Sequence, residues 1–183
     1  MKITKIKNLH SSNWLALKEA SYIDKNGQDS TWQFVERIGN PLVVTLIVRS
    51  AKTGKILLIR QPRVPVDAVT IEFPAGLADE GETPENAALR ELKEETGYTA
   101  TIEKISPFLP KSAGLTNESA VLVFCSTDES KKGTTSEETT ENIVTFWLHP
   151  DEFFDYIKSQ KKVKVAIEVY AYFSGIQAAR NNI

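Results

Sequence analysis

Alternating and continuous apolar runs predict strands in the first half of the chain and a mixture of strands and helices in the second. Runs at 15–22 and 31–38 flank IDKNGQDS, in which Asn26-Gly27 is a typical β-hairpin turn. Further β-branched or aromatic runs of strand length are predicted at 42–49, 55–61, 100–108, 120–126 and 143–148, the first two forming a second hairpin.

The remaining segments are predicted as helices or as loop. Residues 151–159 and 166–179 have helical patterns, and the second helix has an alternative start at Val163. Residues 128–141 are polar, charged and rich in Gly, Ser and Thr, which predicts a long exposed loop. The run VTIEFPAGL, at 69–77, reads as a strand that ends in a loop containing glycine.

A helix of about thirteen residues is predicted directly after that loop. Thr83 is a suitable N-cap, Pro84 then occupies the first helical position, and Gly97 ends the helix. Glu91, Glu94 and Glu95 lie on one face of it, within an arc of about 100°.

Such a face is electrostatically unfavourable unless a cation binds it. Like charges three or four residues apart cost roughly 0.2–0.5 kcal/mol per pair on an isolated helix. Hard divalent ions such as Mg²⁺ prefer carboxylate oxygens and bind phosphate-bearing substrates through their remaining positions. The alternative is an ordinary solvated acidic face, which is common on helices.

Composition and charge exclude several classes of protein. The chain has 183 residues, 41% of them hydrophobic, enough for one compact domain with an extension. A net charge of −2 and a pI of about 5.8 predict no basic surface, and therefore neither nucleic acid nor membrane as a partner. We find no signal peptide or long apolar span and expect a soluble, cytoplasmic protein, or a nuclear one if the source is eukaryotic.

Cysteine and histidine are too scarce for a disulfide or a zinc cluster. Cys125 is the only cysteine; it lies in the apolar run AVLVFCS and is expected to be a buried strand residue, a reactive thiol being the alternative. His10 and His149 are the only histidines.

The segment GLADEGETPENAALRELKEETGY, residues 76–98, resembles the Nudix box, G-x5-E-x7-R-E-U-x-E-E-x-G-U, where U is bulky and apolar. Every fixed position of the box is filled without a gap, by Gly76, Glu82, Arg90, Glu91, Leu92, Glu94, Glu95, Gly97 and Tyr98. The resemblance implies hydrolysis of a nucleoside diphosphate linked to another group, dependent on Mg²⁺, with Mn²⁺ as a possible substitute. It also implies an α/β/α sandwich with a mixed sheet, in which this helix carries the metal site.

The pattern of predicted elements divides the chain in two, and the resemblance gives each part a role. An N-terminal antiparallel β-strand module for dimerisation is expected at residues 1–40, followed by the catalytic domain at 41–183. Trp14 and Trp32, at the starts of adjacent predicted strands, together with IRQPRVPVDAVTIEFPAGL, resemble the ADP-sugar pyrophosphatase branch of the family. In that branch two tryptophans sandwich the adenine, one of them from the partner subunit of a domain-swapped homodimer. Each tryptophan alone could instead be a core or edge anchor.

Further roles follow from matching positions. Arg37 and Arg63 match arginines that contact the phosphates and riboses of the substrate, and the arginine fork suits phosphate. Gln33, Leu77 and Ser112 match further substrate contacts. Metal ligands are expected to be Glu91, Glu95 and the Ala75 carbonyl oxygen, with Glu94 as an additional or water-mediated ligand. Glu94 and Glu95 are also expected to be catalytic residues. Arg90 is expected to brace the glutamates, and Glu82 to orient the acidic cluster or support the loop.

The resemblance also supplies a general base and one point of departure. Glu141, in TTENIVTFWL, aligns with the glutamate that activates the attacking water; Glu137 and Glu138 are rivals, and a solvated loop charge is the alternative. The family commonly has proline where this chain has Ala113, before Gly114, which puts the loop shape and substrate preference in doubt.

These observations predict a homodimeric hydrolase that cleaves ADP-ribose to AMP and ribose 5-phosphate. The alternatives are a broader nucleoside-diphosphate-sugar or oxidised-nucleotide hydrolase, and a Nudix module that binds ADP-ribose without hydrolysing it.

Overall fold

A computed structural model of the chain describes residues 1–39, 41–136 and 142–181. Within these ranges the N-terminal part forms an antiparallel sheet of three strands in chain order, β1 (Lys2–Ser11), β2 (Leu15–Ile23) and β3 (Asp29–Arg37). The β2–β3 turn is held by the Asp24 carboxylate, which accepts hydrogen bonds from the backbone N–H groups of Asn26 (2.8 Å) and Gln28 (2.9 Å).

A second, mixed sheet contains nine strands within the same ranges. In chain order they are β4 (Val43–Ser50), β5 (Ile56–Arg63), β6 (Ala68–Glu72), β7 (Ala75–Leu77), β8 (Thr101–Ile105), β9 (Leu109–Pro110), β10 (Ser119–Thr127), β11 (Val144–Leu148) and β12 (Val163–Val165). The spatial order is β12-β6-β5-β4-β10-β8, with β11 on β5, β7 on β4 and β9 on β10. The β4–β10 and β6–β12 pairs are parallel and the others antiparallel.

Helices cover both faces of the mixed sheet. Helix α1 (Pro84–Thr96) packs on one face, where Leu57, Ala88 and Leu92 belong to one buried cluster. Helices α2 (Phe153–Ser159) and α3 (Ile167–Asn181) pack on the other face, around a second cluster that includes Phe73, Phe153 and Phe173. The predicted α/β/α sandwich with a mixed sheet is therefore confirmed. No helix in the described ranges combines the length and apolar content that a bilayer crossing requires.

Several element predictions are confirmed and a few are wrong. The first hairpin, α1 with its Thr83 cap and Gly97 end, and a buried Cys125 are as expected. Strand β1 was not predicted, because its residues are almost all exposed and carry no clear apolar face. The alternative helix start at Val163 is wrong, since 163–165 form β12 beside β6. The 3₁₀ turn Pro150–Glu152 precedes α2, which is thus shorter than predicted.

Candidate active site

A cavity of about 730 Å³ opens between α1, the β5–β7 region and the end of β3. Many of the residues singled out from the sequence line it: Trp14, Arg37, Arg63, Ala75, Leu77, Glu91, Glu94 and Glu95. Both sheets and the acidic helix therefore contribute to one concave surface, which is the usual shape of a small-molecule site.

The strand before α1 lies directly against the glutamates. Pairing with β4 fixes β7, with Val44 opposite Gly76 and Thr45 opposite Ala75. The Ala75 N–H donates a hydrogen bond of 3.2 Å to Oε2 of Glu95, whose exposed fraction is only 4%. A Cβ atom at Gly76 would overlap the carboxyl group of Glu91. Glycine is thus required sterically for the backbone to approach this carboxylate.

Arg90 connects the acidic residues of the cavity. Its Nε and Nη2 donate to the two carboxylate oxygens of Glu82, at 3.1 and 2.8 Å, and Nη2 also donates to the Leu77 carbonyl oxygen at 2.9 Å. Its Nη1 donates to Glu91 (2.9 Å) and Glu94 (3.1 Å). Hydrogen bonding to Glu82 raises the pKa of Arg90 above its ordinary value, and the same bonds lower the pKa of Glu82. Arg90 and Glu82 therefore brace the loop and the helix as a charged pair.

Arg63 lies on the opposite wall in a two-point contact with Glu72. Its Nε and Nη2 donate to the two oxygens of Glu72 at 2.8 and 2.7 Å, and the Thr70 hydroxyl donates to the same carboxylate. Burial opposes ionisation of Glu72, but the bonds from Arg63 and Thr70 outweigh it and hold the pKa of the carboxyl below its ordinary value. Sequence reasoning missed Glu72, although a lone charge inside the apolar run VTIEF was a usable signal.

The N-terminal sheet contributes Trp14 and Arg37. Trp14 precedes β2, is 77% exposed and lines the cavity, and its carbonyl oxygen accepts a hydrogen bond of 2.9 Å from Ile38 N–H. Arg37 ends β3, and its Nε donates to Oε1 of Glu118 at 2.8 Å. Glu118 and Lys111 also line the cavity, and no sequence pattern had pointed to either.

The other predicted substrate residues lie elsewhere in the described chain. Trp32 is not among the residues lining the cavity; it is 53% exposed, and its indole N–H donates to the Gly114 carbonyl oxygen at 3.1 Å. The side-chain amide of Gln33 donates to Glu19 at 3.1 Å, on the surface of the sheet. Ser112 lies in the loop between β9 and β10, outside the cavity lining.

Glu141 and its rivals Glu137 and Glu138 lie outside the described residues. The described part of that loop contacts the end of α1. Gly133 N–H donates to Gly97 O at 2.8 Å, and Ser136 N–H donates to Glu94 O at 2.9 Å. Residues 128–136 form a loop as predicted and approach the carbonyl groups at the end of α1.

Residues 39–173 match the family model described as the NUDIX domain. The chain belongs to the Nudix family. It is 34% identical over 189 residues to an ADP-ribose pyrophosphatase of Saccharomyces cerevisiae, covering 96% of this chain and 82% of the relative. It is 33% identical to putative nudix hydrolase 2 of Caenorhabditis elegans, an alignment that covers 92% of this chain and 82% of the relative. It is 34% identical to a mouse ADP-sugar pyrophosphatase, an alignment that covers 63% of this chain and 56% of the relative.

A solved structure shares the Nudix fold of this chain. The crystal structure of an ADP compounds hydrolase superposes with a TM-score of 0.69, covering 87% of this chain and 84% of that one at 21% identity. At that identity the likeness concerns the fold. Together with the family match and the relatives, it makes the protein a Nudix hydrolase, an enzyme class that generally uses divalent metal ions.

The donor set beside α1 fits such an ion. Carboxylates of Glu91, Glu94 and Glu95 and the backbone at Ala75 border one cavity, and oxygen donors of this kind suit hard divalent cations. Within the described ranges no three acidic, histidine or cysteine side chains already form a metal cluster. Arg90 Nη1 donates to one oxygen each of Glu91 and Glu94, so the guanidinium compensates part of the negative charge of these two carboxylates.

Proposed function

We propose that the protein hydrolyses the diphosphate bond of ADP-ribose, with Mg²⁺ as its metal ion, to give AMP and ribose 5-phosphate. The observation that carries this proposal is the cavity in which three carboxylates of α1 face Arg37 and Arg63, with Trp14 at the same surface. Relatives named for ADP-ribose and ADP-sugar pyrophosphatase activity align over much of the chain and support this choice of substrate.

Each group of the cavity has a place in this reaction. Glu91, Glu95 and the Ala75 carbonyl oxygen, with Glu94 as an additional ligand, would hold Mg²⁺ or, in its place, Mn²⁺. A divalent ion held there would lower the pKa of bound water and would neutralise charge on the phosphate oxygens. Arg37 is proposed to bind the phosphates through its planar fork, and Arg63, held by Glu72, to add positive charge at the same cavity. Glu141, with Glu137 and Glu138 as rivals and all three outside the described residues, is proposed to take the proton from the attacking water.

The adenine is proposed to stack between Trp14 of one chain and Trp32 of a second copy. In one chain Trp14 lies beside Ile38 and Trp32 lies opposite Ala20, so the two are six positions apart along β3, or about 20 Å. Stacked rings have centroids roughly 4.5–7 Å apart, so the backbone separation of the two tryptophans disfavours an adenine sandwiched between both indoles of one chain. This supports a homodimer formed through residues 1–40, with residues 41–183 as the catalytic domain; Gln33, Leu77 and Ser112 complete the proposed substrate contacts.

A cytoplasmic location agrees with the chemistry of the single thiol. Cys125 is buried and unpaired, and a reducing compartment keeps such a thiol in this form.

Product analysis on a panel of nucleotide sugars, with and without Mg²⁺, tests the activity. We expect AMP and ribose 5-phosphate from ADP-ribose, only with the metal. Equal turnover of nucleotide sugars with other bases would favour the broader hydrolase, since stacking on indole tolerates any base. Tight ADP-ribose binding without turnover of any substrate would instead identify a binding module.

Glu95→Gln tests the metal ligand. The substitution removes one carboxylate charge at the site while keeping the side-chain shape, and turnover should fall at least a hundredfold with an unchanged melting temperature. Glu85→Gln is the matched control, because Glu85 is exposed on the first turn of the same helix and does not line the cavity. Near-normal activity of Glu95→Gln would contradict the ligand role.

A further inference from the structure

The loop between β9 and β10 lies along the outer edge of β3. Val35 N–H donates to the Leu115 carbonyl oxygen at 2.8 Å, and Val35 forms a parallel bridge with Thr116. The Trp32 indole binds the carbonyl oxygen of Gly114. Thr116 thus forms an isolated bridge to the edge of β3, which covers backbone groups that the edge would otherwise leave unpaired here.

Two side-chain contacts, one residue apart, fasten this loop to β3. Asn117 Nδ2 donates to Oε2 of Glu36 at 2.7 Å, and Arg37 Nε donates to Oε1 of Glu118 at 2.8 Å. Successive residues of a strand point to opposite faces, so the two contacts lie on different sides. Only the second contact borders the cavity. Among the described residues, Arg37 and Glu118 line the cavity, whereas Glu36 and Asn117 do not.

Glu118 is itself rigidly held. Its backbone N–H donates to the Thr116 hydroxyl at 3.1 Å, and its carbonyl oxygen accepts from Lys111 N–H at 3.0 Å. Its side chain is 16% exposed, against 39% for Arg37. The Glu118 carboxylate accepts the hydrogen bond from Nε of Arg37. In the described ranges, Nη1 and Nη2 of Arg37 donate to no residue. Those nitrogens are the pair that can bind a phosphate by two points.

We propose that Glu118 is a positioning residue: by holding Nε of Arg37 it directs Nη1 and Nη2 toward the diphosphate of the substrate and so sets the affinity of the site. This inference rests on the proposed function. It assigns Glu118 no contact with the reacting atoms, and its effect passes through Arg37.

The sign of the effect separates positioning from simple electrostatics. Glu118 places a negative charge beside an anionic substrate, so through-space repulsion alone predicts tighter binding when the charge is removed. Positioning predicts weaker binding, because an untethered arginine must lose side-chain entropy when it binds.

The test compares Glu118→Ala, Glu118→Gln and Asn117→Ala with the wild-type protein. Hydrogen bonds to charged groups contribute substantial free energy. Glu118→Ala should therefore raise KM for ADP-ribose about tenfold with little change in kcat. Glu118→Gln keeps an acceptor oxygen for Nε and should recover part of the affinity. Asn117→Ala breaks the neighbouring contact of the same loop and should leave KM unchanged.

A double variant shows whether Glu118 acts through Arg37. In an Arg37→Ala background, Glu118→Ala should have no further effect on KM. A lower or unchanged KM for Glu118→Ala, an equal rise in Asn117→Ala, or a full effect in the absence of Arg37 would each overturn the proposal.

Calorimetric titration with inorganic pyrophosphate repeats the comparison without catalysis. Weaker pyrophosphate binding by Glu118→Ala than by Asn117→Ala would support the role of Glu118, whether or not the protein hydrolyses ADP-ribose. A panel without ADP-ribose hydrolysis would count against the proposed function and would leave the role of Glu118 standing. Equal pyrophosphate affinity in both variants would overturn the positioning role.

Discussion

Gly76 lies where the backbone of β7 comes closest to the carboxylates of α1. A side chain there would meet the Glu91 carboxyl group, so the distance between strand and helix depends on the missing Cβ. The site is therefore built from a close backbone approach as much as from its charged groups.

Gly76→Ala should abolish most activity while the protein stays folded. Displacement of Glu91 by about 1 Å can cost a hundredfold in rate. Gly175→Ala in α3 is the matched control: nothing lies within 4 Å of the added methyl, and removing a helical glycine should stabilise the fold by about 0.5–1 kcal/mol. Steady-state rates and urea unfolding of both variants check this, and an active Gly76→Ala protein would contradict it.

Cys125 should be inert in the native protein. The thiol is buried between strands, and burial raises its pKa to about 11, so at pH 8 even less of it is thiolate than in a free cysteine. A thiol reagent such as Ellman's should react with less than one-tenth of the protein at pH 8, and fully after unfolding in guanidinium chloride. Rapid native labelling would show that β10 opens readily.

At the scale of residues, the arrangement that can be predicted from the sequence is the local one. The carboxylates of α1 and their brace Arg90 lie within one helix, so spacing alone brings them together. The positions of Trp32 and Glu118 depend on contacts about eighty residues away along the chain, which no local pattern encodes.

At the scale of elements, α1 shows how capping residues set the length of a helix. The Thr83 hydroxyl accepts a hydrogen bond of 3.3 Å from Asn86 N–H, and Gly97 ends the helix in the left-handed conformation with φ of 76°. Both ends were predicted from the sequence because these preferences are strong. Strands β1 and β12 were not, because each depends on a neighbouring strand and has too weak an apolar pattern of its own.

Gly97→Ala should be more destabilising than an ordinary left-handed glycine substitution. An alanine at this position would have an unfavourable positive φ. Its Cβ would also lie 2.5 Å from the Gly133 carbonyl oxygen. The first effect costs about 1–2 kcal/mol, and overpacking adds roughly 1–3 kcal/mol.

Gly27→Ala isolates the first effect, since Gly27 has φ of 79° and nothing within 4 Å. Urea denaturation of the two variants measures the difference. Equal losses would mean that the loop near Gly133 does not depend on the end of α1.

At the scale of the whole molecule, the three-stranded sheet places the two tryptophans of the proposed adenine site far apart in one chain. Trp14 lines the cavity of its own chain, whereas Trp32 lies about 20 Å further along the sheet. The proposed adenine site is therefore a proposal about assembly, and only the family resemblance suggested it, because the structure is that of one chain.

Mixing Trp14→Ala with Trp32→Ala protein should restore activity. Each homodimer lacks one indole at both sites, but a mixed dimer has one site with both indoles intact. The measurement is ADP-ribose turnover after joint refolding, with each variant refolded alone as the control. No recovery, or a fully active monomer by sedimentation, would exclude a shared site.

Arg90 has a consequence for how the protein is made. The guanidinium lies on the same helix as Glu91 and Glu94 and contacts both, so the catalytic helix carries its own counter-charge. Repulsion among the carboxylates is compensated as soon as one turn forms, from residues adjacent in the chain. Helix α1 can therefore form before any divalent ion is bound, because its own arginine compensates the charge of two of its carboxylates.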